Sequence, residues 1–193
     1  MELNENIPVR GTYGYVDYRK KNQLIKALAV GAIMGILILI GYLIFGNIKN
    51  YLMIPTMLLV IPFANFLVVF FAVLPFRTAP KELYTELKNF ADADMLMSDL
   101  IVVDEKGARY FCEFAVVYAG GVFAYSSNGK WRPEKVEIPI NEKLSKRGIT
   151  GRIKCYKGWE DFLAALDGAP APATESELEM SRLTKETIIN ICM

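Results

Sequence analysis

Three cysteines and no histidine decide what chemistry this chain can carry. Without histidine there is no imidazole base, no imidazole metal ligand and no switch near neutral pH. Cys112, Cys155 and Cys192 are far apart, odd in number and show no C-x-x-C pattern. They therefore fit reduced thiols in a cytoplasmic domain better than a disulfide framework or a zinc site. No Walker loop, dinucleotide fingerprint or serine-nucleophile elbow occurs.

The remaining candidate chemistry is electrostatic. From Lys130 to Lys157 nine Lys and Arg residues face only Glu134, Glu137 and Glu142, whereas from Gly158 onward two bases face seven acids. Within the basic stretch, Lys143, Lys146, Arg147, Arg152 and Lys154 form a candidate surface for anionic lipid headgroups or another phosphate. Nucleic-acid phosphate ranks second. The acidic tail could cover the basic face, and such blocks also serve simply to solvate one side of a domain. A whole-chain net charge of +1 argues against a nucleic-acid coat.

The elements that must position these residues begin with an apolar block. Of the 193 residues 53% are hydrophobic, and the excess is concentrated between Ala27 and Phe76, where Lys49 is the one charge. About 20 apolar residues cross a bilayer, so spans are expected over 27–45 and 51–76, joined by a turn at Gly46–Asn50. Both runs are apolar all round rather than striped, as a membrane helix requires. A signal peptide fits poorly, because the run starts late, is too long and lacks a cleavage site.

Arg19, Lys20, Lys21 and Lys26 precede the hairpin, and Arg77, Lys81 and Lys88 follow it. The positive-inside rule then places both termini in the cytoplasm of a two-pass cell-membrane protein. Ala27, Gly31 and Gly35 form a small-residue stripe suited to packing on the second helix or on a second copy of the chain. Pro62 and Asn65 read as a packed kink, with the Asn65 amide near mid-bilayer needing a polar partner.

The expected fold class is thus an α-helical two-pass transmembrane hairpin plus a small cytoplasmic α+β (α/β-layer) domain. Residues 1–26 form a cytoplasmic N-terminal segment and 78–94 a connecting helix capped by Thr78, with Leu83, Leu87 and Phe90 on one face. The domain spans 95–167. It contains a hairpin of Leu96–Val103 and Ala108–Ala119 around the turn Asp104–Gly107, then a strand at "VFAYS" and a turn at "SNGK". The second hairpin strand is apolar on both faces and should be central. A helix over Pro139–Arg147, a strand over Gly151–Lys157 and a helix over Trp159–Leu166 follow. After a Pro/Ala linker (168–174), Thr174 and Glu177 open an amphipathic helix over 175–193, with Met180, Leu183, Thr187 and Ile191 on one face. That helix can pack on the domain or engage a cytoplasmic protein partner.

One stretch resembles a known family. "DLIVVDEKGARYFCEF" followed by "AGGVFAYSSNGKW" is similar to the core of the NERD nuclease-related domain, where an Asp begins a hairpin and a Glu-x-Lys closes it. The resemblance implies a restriction-endonuclease-type fold, with Asp99 and Glu113 as ligands of a divalent metal such as Mg2+. The lysine position falls on Ala115, with Val116 and Val117 beside it, so a Lys from elsewhere, such as Lys130 or Lys154, would have to serve. On the residues alone, Glu113 reads as a strand residue paired with a base such as Arg152 or Lys154, and Asp99 as a residue near a turn. The overall plan resembles small two-pass bacterial membrane proteins with a cytoplasmic tail domain.

Three functions are compatible with these features. A membrane-anchored binding or regulatory module needs no cofactor and comes first. A divergent or inactive metal-dependent nuclease comes second. A transporter or channel component built of oligomerised hairpins comes third, because no ionisable residue lies within the spans.

Overall fold

The computed structural model describes residues 7–47, 51–92, 94–103, 107–128, 132–149, 151–170, 172 and 174–192. The expected turns at Gly46–Asn50, Asp104–Gly107 and "SNGK" lie partly, and Lys130 wholly, outside the described residues. The chain divides into two compact units, Val16–Arg77 and a second made of Met1–Tyr15 together with Thr78–Met193.

The first unit is an antiparallel pair, α1 (Tyr15–Phe45) and α2 (Met53–Val73). Helix α1 starts well before the apolar run, because Val16–Lys26 contains no Gly or Pro. Asp17 in its first turn also suits the positive end of the helix dipole. Its 31 residues extend roughly 46 Å. Gly46 ends it at φ 63°, donating its backbone N–H to the Tyr42 carbonyl at 2.9 Å. Helix α2 stops at Val73 rather than Phe76: Leu74 still has helical backbone, but Pro75 has no N–H to donate to the preceding turn. At the shared end of the pair, the Lys20 ammonium donates to the Phe76 carbonyl and lies 3.3 Å from Asp17. Both helices are long and apolar enough to cross a membrane.

The second unit is a four-stranded sheet with helices on both faces. Its strands are β1 (Leu96–Val103), β2 (Arg109–Tyr118), β3 (Gly121–Tyr125) and β4 (Arg152–Tyr156), in the order β1-β2-β3-β4. The first three run antiparallel as a meander, and β4 is parallel to β3. A parallel return needs a crossover, supplied by α4 (Pro133–Lys146). As expected, β2 is central and almost wholly buried.

Helix α4 is longer than the Pro139–Arg147 expected. Pro133 occupies its first turn and Pro139 lies inside it. The buried stripe Val136, Ile140 and Leu144 recurs every four residues, and its packing holds the helix through the interior proline. With α6 (Glu175–Ile191) it covers one face of the sheet, burying Met97, Leu100, Ala115, Val122 and Ile153.

The opposite face carries α3 (Lys81–Leu87) and α5 (Trp159–Asp167), and it is largely aromatic. Rings contact one another from Tyr13–Tyr84 (4.4 Å) through Phe114, Trp159 and Tyr125 to Phe162. Such pairs stabilise beyond the area they bury.

Helix α3 is much shorter than the connecting helix expected over 78–94. It starts after Pro80, Thr78 does not cap it, and Phe90 lies beyond its end and is exposed. The capping box at Thr174 and Glu177 is present in α6. The face of α6 that packs is Ser181, Thr184, Thr187 and Ile188, whereas Met180 and Leu183 are exposed.

Two close approaches fix the geometry between β3 and β4. Gly121 adopts φ 147°, and a Cβ there would stand 2.2 Å from the Arg152 carbonyl oxygen, so only glycine fits. A Cβ on Gly151 would meet the Gly121 Cα at 3.1 Å.

Candidate functional site

Asp99 and Glu113 come from neighbouring strands. The register keeps Ser98 against Phe114 and Leu100 against Cys112, so Asp99 and Glu113 occupy opposed positions between those pairs. Here the strands also exchange faces. Met97 and Leu100 both line the α4/α6 side although they are three positions apart, and so do Cys112 and Ala115. Asp99 accommodates the change with φ 55°, a left-handed conformation that Asp tolerates better than most residues.

Both acids are buried, Asp99 to 1% exposure and Glu113 to 7%. The Thr78 hydroxyl donates to Asp99 Oδ2 at 2.7 Å. Glu113 Oε1 accepts from the Ser127 backbone N–H at 3.2 Å and from the Ser127 hydroxyl. Each carboxylate thus has a donor on one of its oxygens, which offsets part of the cost of burying it. The Glu113 partner is therefore Ser127, not Arg152 or Lys154. Arg152 and Lys154 pair with Gly121 and Phe123 on β3 and are exposed on the far side of that strand. The nearby Tyr125 hydroxyl has its pKa raised, first by burial and then by the Glu113 charge.

The position that the nuclease resemblance reserves for lysine is filled by Ala115. It is fully buried between Met97 on β1 and Ala124 on β3, within the α4/α6 core. Among the described residues no group of three His, Cys, Asp or Glu side chains could hold a metal ion. Among the described residues the pair thus has two carboxylates, each already hydrogen-bonded, with no third acidic or thiol side chain grouped with them.

The basic candidates are only partly gathered. Lys146 and Arg152 line an open hollow of about 680 Å³ at the end of α4, along with Asn141, Glu142 and Ser145. Arg147 turns to α6 instead, its guanidinium 3.5 Å from the Thr187 hydroxyl. Lys143 also lies toward the end of α6, where its charge partly offsets the burial that pushes the Cys192 thiol up to about 12. Lys154 projects from β4 and is exposed.

The hairpin candidates separate as well. Ala27 is buried, and Gly31 faces Phe63 so closely that a Cβ would lie 3.3 Å from its ring. Nothing stands within 4 Å of a Cβ on Gly35. Asn65 is exposed and does not pack within the pair.

Sequence reasoning missed Thr78 and Ser127, whose hydroxyls serve the two acids. It also missed Glu137 and Asn141, four residues apart on α4. Asn141 Oδ1 accepts from the Ile153 backbone N–H at 2.8 Å, and Glu137 Oε1 accepts from that of Cys155 at 2.7 Å. Their spacing places them on one face of the helix, a signal visible in the sequence.

No family model, no curated protein and no solved structure matches this chain.

Proposed function

We propose that the chain is a two-pass cell-membrane protein that holds a small α/β domain at the cytoplasmic leaflet as a binding or regulatory module. The observation that carries this reading is the unburied apolar surface of α1 and α2. Only 6% and 17% of their most apolar windows are buried, and Leu43 and Ile61 are each 72% exposed. A core helix of a soluble protein would bury this surface, and water disfavours leaving so large a patch open.

Two further features support the reading. Residues 7–15 belong to the same unit as 78–193, so the chain leaves one body, runs through both helices and returns to it. A cleaved leader would remove a segment that is part of that unit. The bases Arg19, Lys20, Lys21, Lys26, Arg77, Lys81 and Lys88 flank this shared end, favouring a cytoplasmic location.

The test is retention and sidedness in intact cells. The full chain should resist alkaline carbonate extraction. A cysteine placed by Asn47→Cys should react with an impermeant maleimide from outside, whereas one placed by Lys154→Cys should react only after lysis. Extraction into the carbonate supernatant, or labelling of position 154 in intact cells, would overturn the proposal.

The opposed placement of Asp99 and Glu113 favours one second reading, a nuclease-like fold that has lost its metal chemistry. It predicts that Mg2+ gives no calorimetric heat of binding that Asp99→Asn or Glu113→Gln removes. A 1:1 Mg2+ isotherm abolished by either substitution would restore the enzyme reading.

A further inference from the structure

Asn65 is the one strongly polar side chain on the exposed surface of α2, whose 21 residues are otherwise apolar apart from the buried Thr56. Thr56 is satisfied within its own helix, its hydroxyl donating to the Leu52 carbonyl at 2.8 Å. Asn65 has no such solution, since among the described residues no hydrogen bond reaches its amide. Eleven residues without a charge separate it from Arg77, and the stretch from Asn65 to the helix end at Val73 alone is roughly 12 Å. Unlike lysine or arginine, asparagine has no long stem with which to reach the interface.

Resting on the anchoring reading above, we infer that the exposed face of α2 around Asn65 is the contact between two copies of this chain, sealed by hydrogen bonds between their Asn65 amides. Lipid offers the amide neither donor nor acceptor, so the occupant of this face must bring both. A second Asn65 brings both, because each amide donates through its NH2 and accepts through its carbonyl oxygen. Two copies inserted the same way round are parallel, and a two-fold axis along the bilayer normal brings residue 65 of one against residue 65 of the other at equal depth.

The neighbours suit such a contact. Ile61 and Val68 are exposed and lie four and three residues from Asn65 on the same face, and Ala64, its immediate neighbour, is exposed beside them. Ala64 is small enough for close approach of the helix backbones. The alternative face, at Gly35 on α1, is open but offers only a small residue and no polar group needing a partner.

Sedimentation of the purified full chain in mild detergent, preceded by carbonate extraction of the same membranes, tests the inference. The wild type should be retained by the membrane and sediment as a dimer. Asn65→Leu should be retained equally but weaken dimerisation on the order of tenfold. Asn65→Gln, which keeps an amide, should restore the dimer, and Gly35→Leu should leave it intact. A retained but monomeric wild type, a dimer unaffected by Asn65→Leu, or a dimer broken by Gly35→Leu instead would overturn this inference alone. Loss of the wild type in the carbonate wash would overturn the anchoring reading and this one with it.

Discussion

The three thiols converge on the α4/α6 side of the sheet, and burial holds each in its protonated form. Cys112 lies well above its ordinary value, raised by burial and then by the neighbouring Cys155 and Cys192. Cys155 is raised by burial and by Glu137. Cys192 is pushed up to about 12 from an ordinary 9.0, chiefly by burial. A thiol whose pKa is higher in the folded than in the unfolded state keeps its proton longer when folded. Its contribution to stability is full below pH 9 and is lost as pH rises from there through about 12. The urea midpoint of the full chain should therefore fall between pH 9 and 11, and Cys192→Ala should make that fall shallower. Iodoacetamide at pH 8 should leave all three thiols unmodified until urea unfolds the chain. Fast labelling of Cys192 in the native protein would refute the burial argument.

At the scale of elements, the sheet edges are closed by groups from outside the sheet. The outer edge of β4 would expose N–H groups to pairing with another chain. Glu137 and Asn141 of α4 occupy the N–H groups of Cys155 and Ile153 instead, and the Asn141 amide also donates to the Ile153 carbonyl at 3.4 Å. At the other edge, the Ser98 N–H donates to the Gly11 carbonyl at 3.0 Å. Glu137→Ala with Asn141→Ala should destabilise the domain by about 2–3 kcal/mol, since each leaves a backbone donor without its partner. The double variant should also aggregate during thermal unfolding at concentrations where the wild type does not. Unchanged melting and scattering would mean that these side chains are incidental to the edge.

Much of this architecture was legible locally. The hairpin strands, the capping box at Thr174 and Glu177, and α5 follow from alternation, turn residues and caps within a few positions of each element. What escaped depends on partners distant in sequence. Helix α4 tolerates Pro139 because Val136, Ile140 and Leu144 find a sheet to pack on, which no local propensity encodes. The burying face of α6 keeps Thr187 but is otherwise not the apolar one, because Ser181 and Thr184 are small enough to pack against the domain while Met180 and Leu183 are left out. The acids were legible as residues but their donors were not. Thr78 is 21 residues from Asp99, and Ser127 is 14 from Glu113.

For the whole molecule, the two-unit division has a consequence for how the domain can be isolated. A unit of roughly 130 residues is small enough that each stabilising contact matters, and the segment before α1 supplies several. The Gly11 carbonyl accepts from Ser98, the Tyr13 ring stacks on Tyr84 at 4.4 Å, and the Tyr13 hydroxyl donates to the Ala79 carbonyl at 2.7 Å. Ile189 of α6 packs so closely on Gly11 that a Cβ there would stand only 3.0 Å from its side chain. Truncation before Thr78, the obvious way to remove the apolar helices, also removes all of these contacts. Excising only residues 16–77 and rejoining Tyr15 to Thr78 through a flexible linker keeps them. The spliced chain should be water-soluble and monomeric and should unfold cooperatively. The truncated chain should be less stable by about 2–3 kcal/mol, the combined worth of an aromatic pair and two hydrogen bonds. Urea unfolding followed by Trp fluorescence compares the two directly, since Trp159 lies in the aromatic layer that Tyr13 joins. Equal stability would mean that the N-terminal segment only rests on the domain. A spliced chain that is insoluble would mean that the domain depends on the helices themselves, in which case unit 16–77 is more than an anchor.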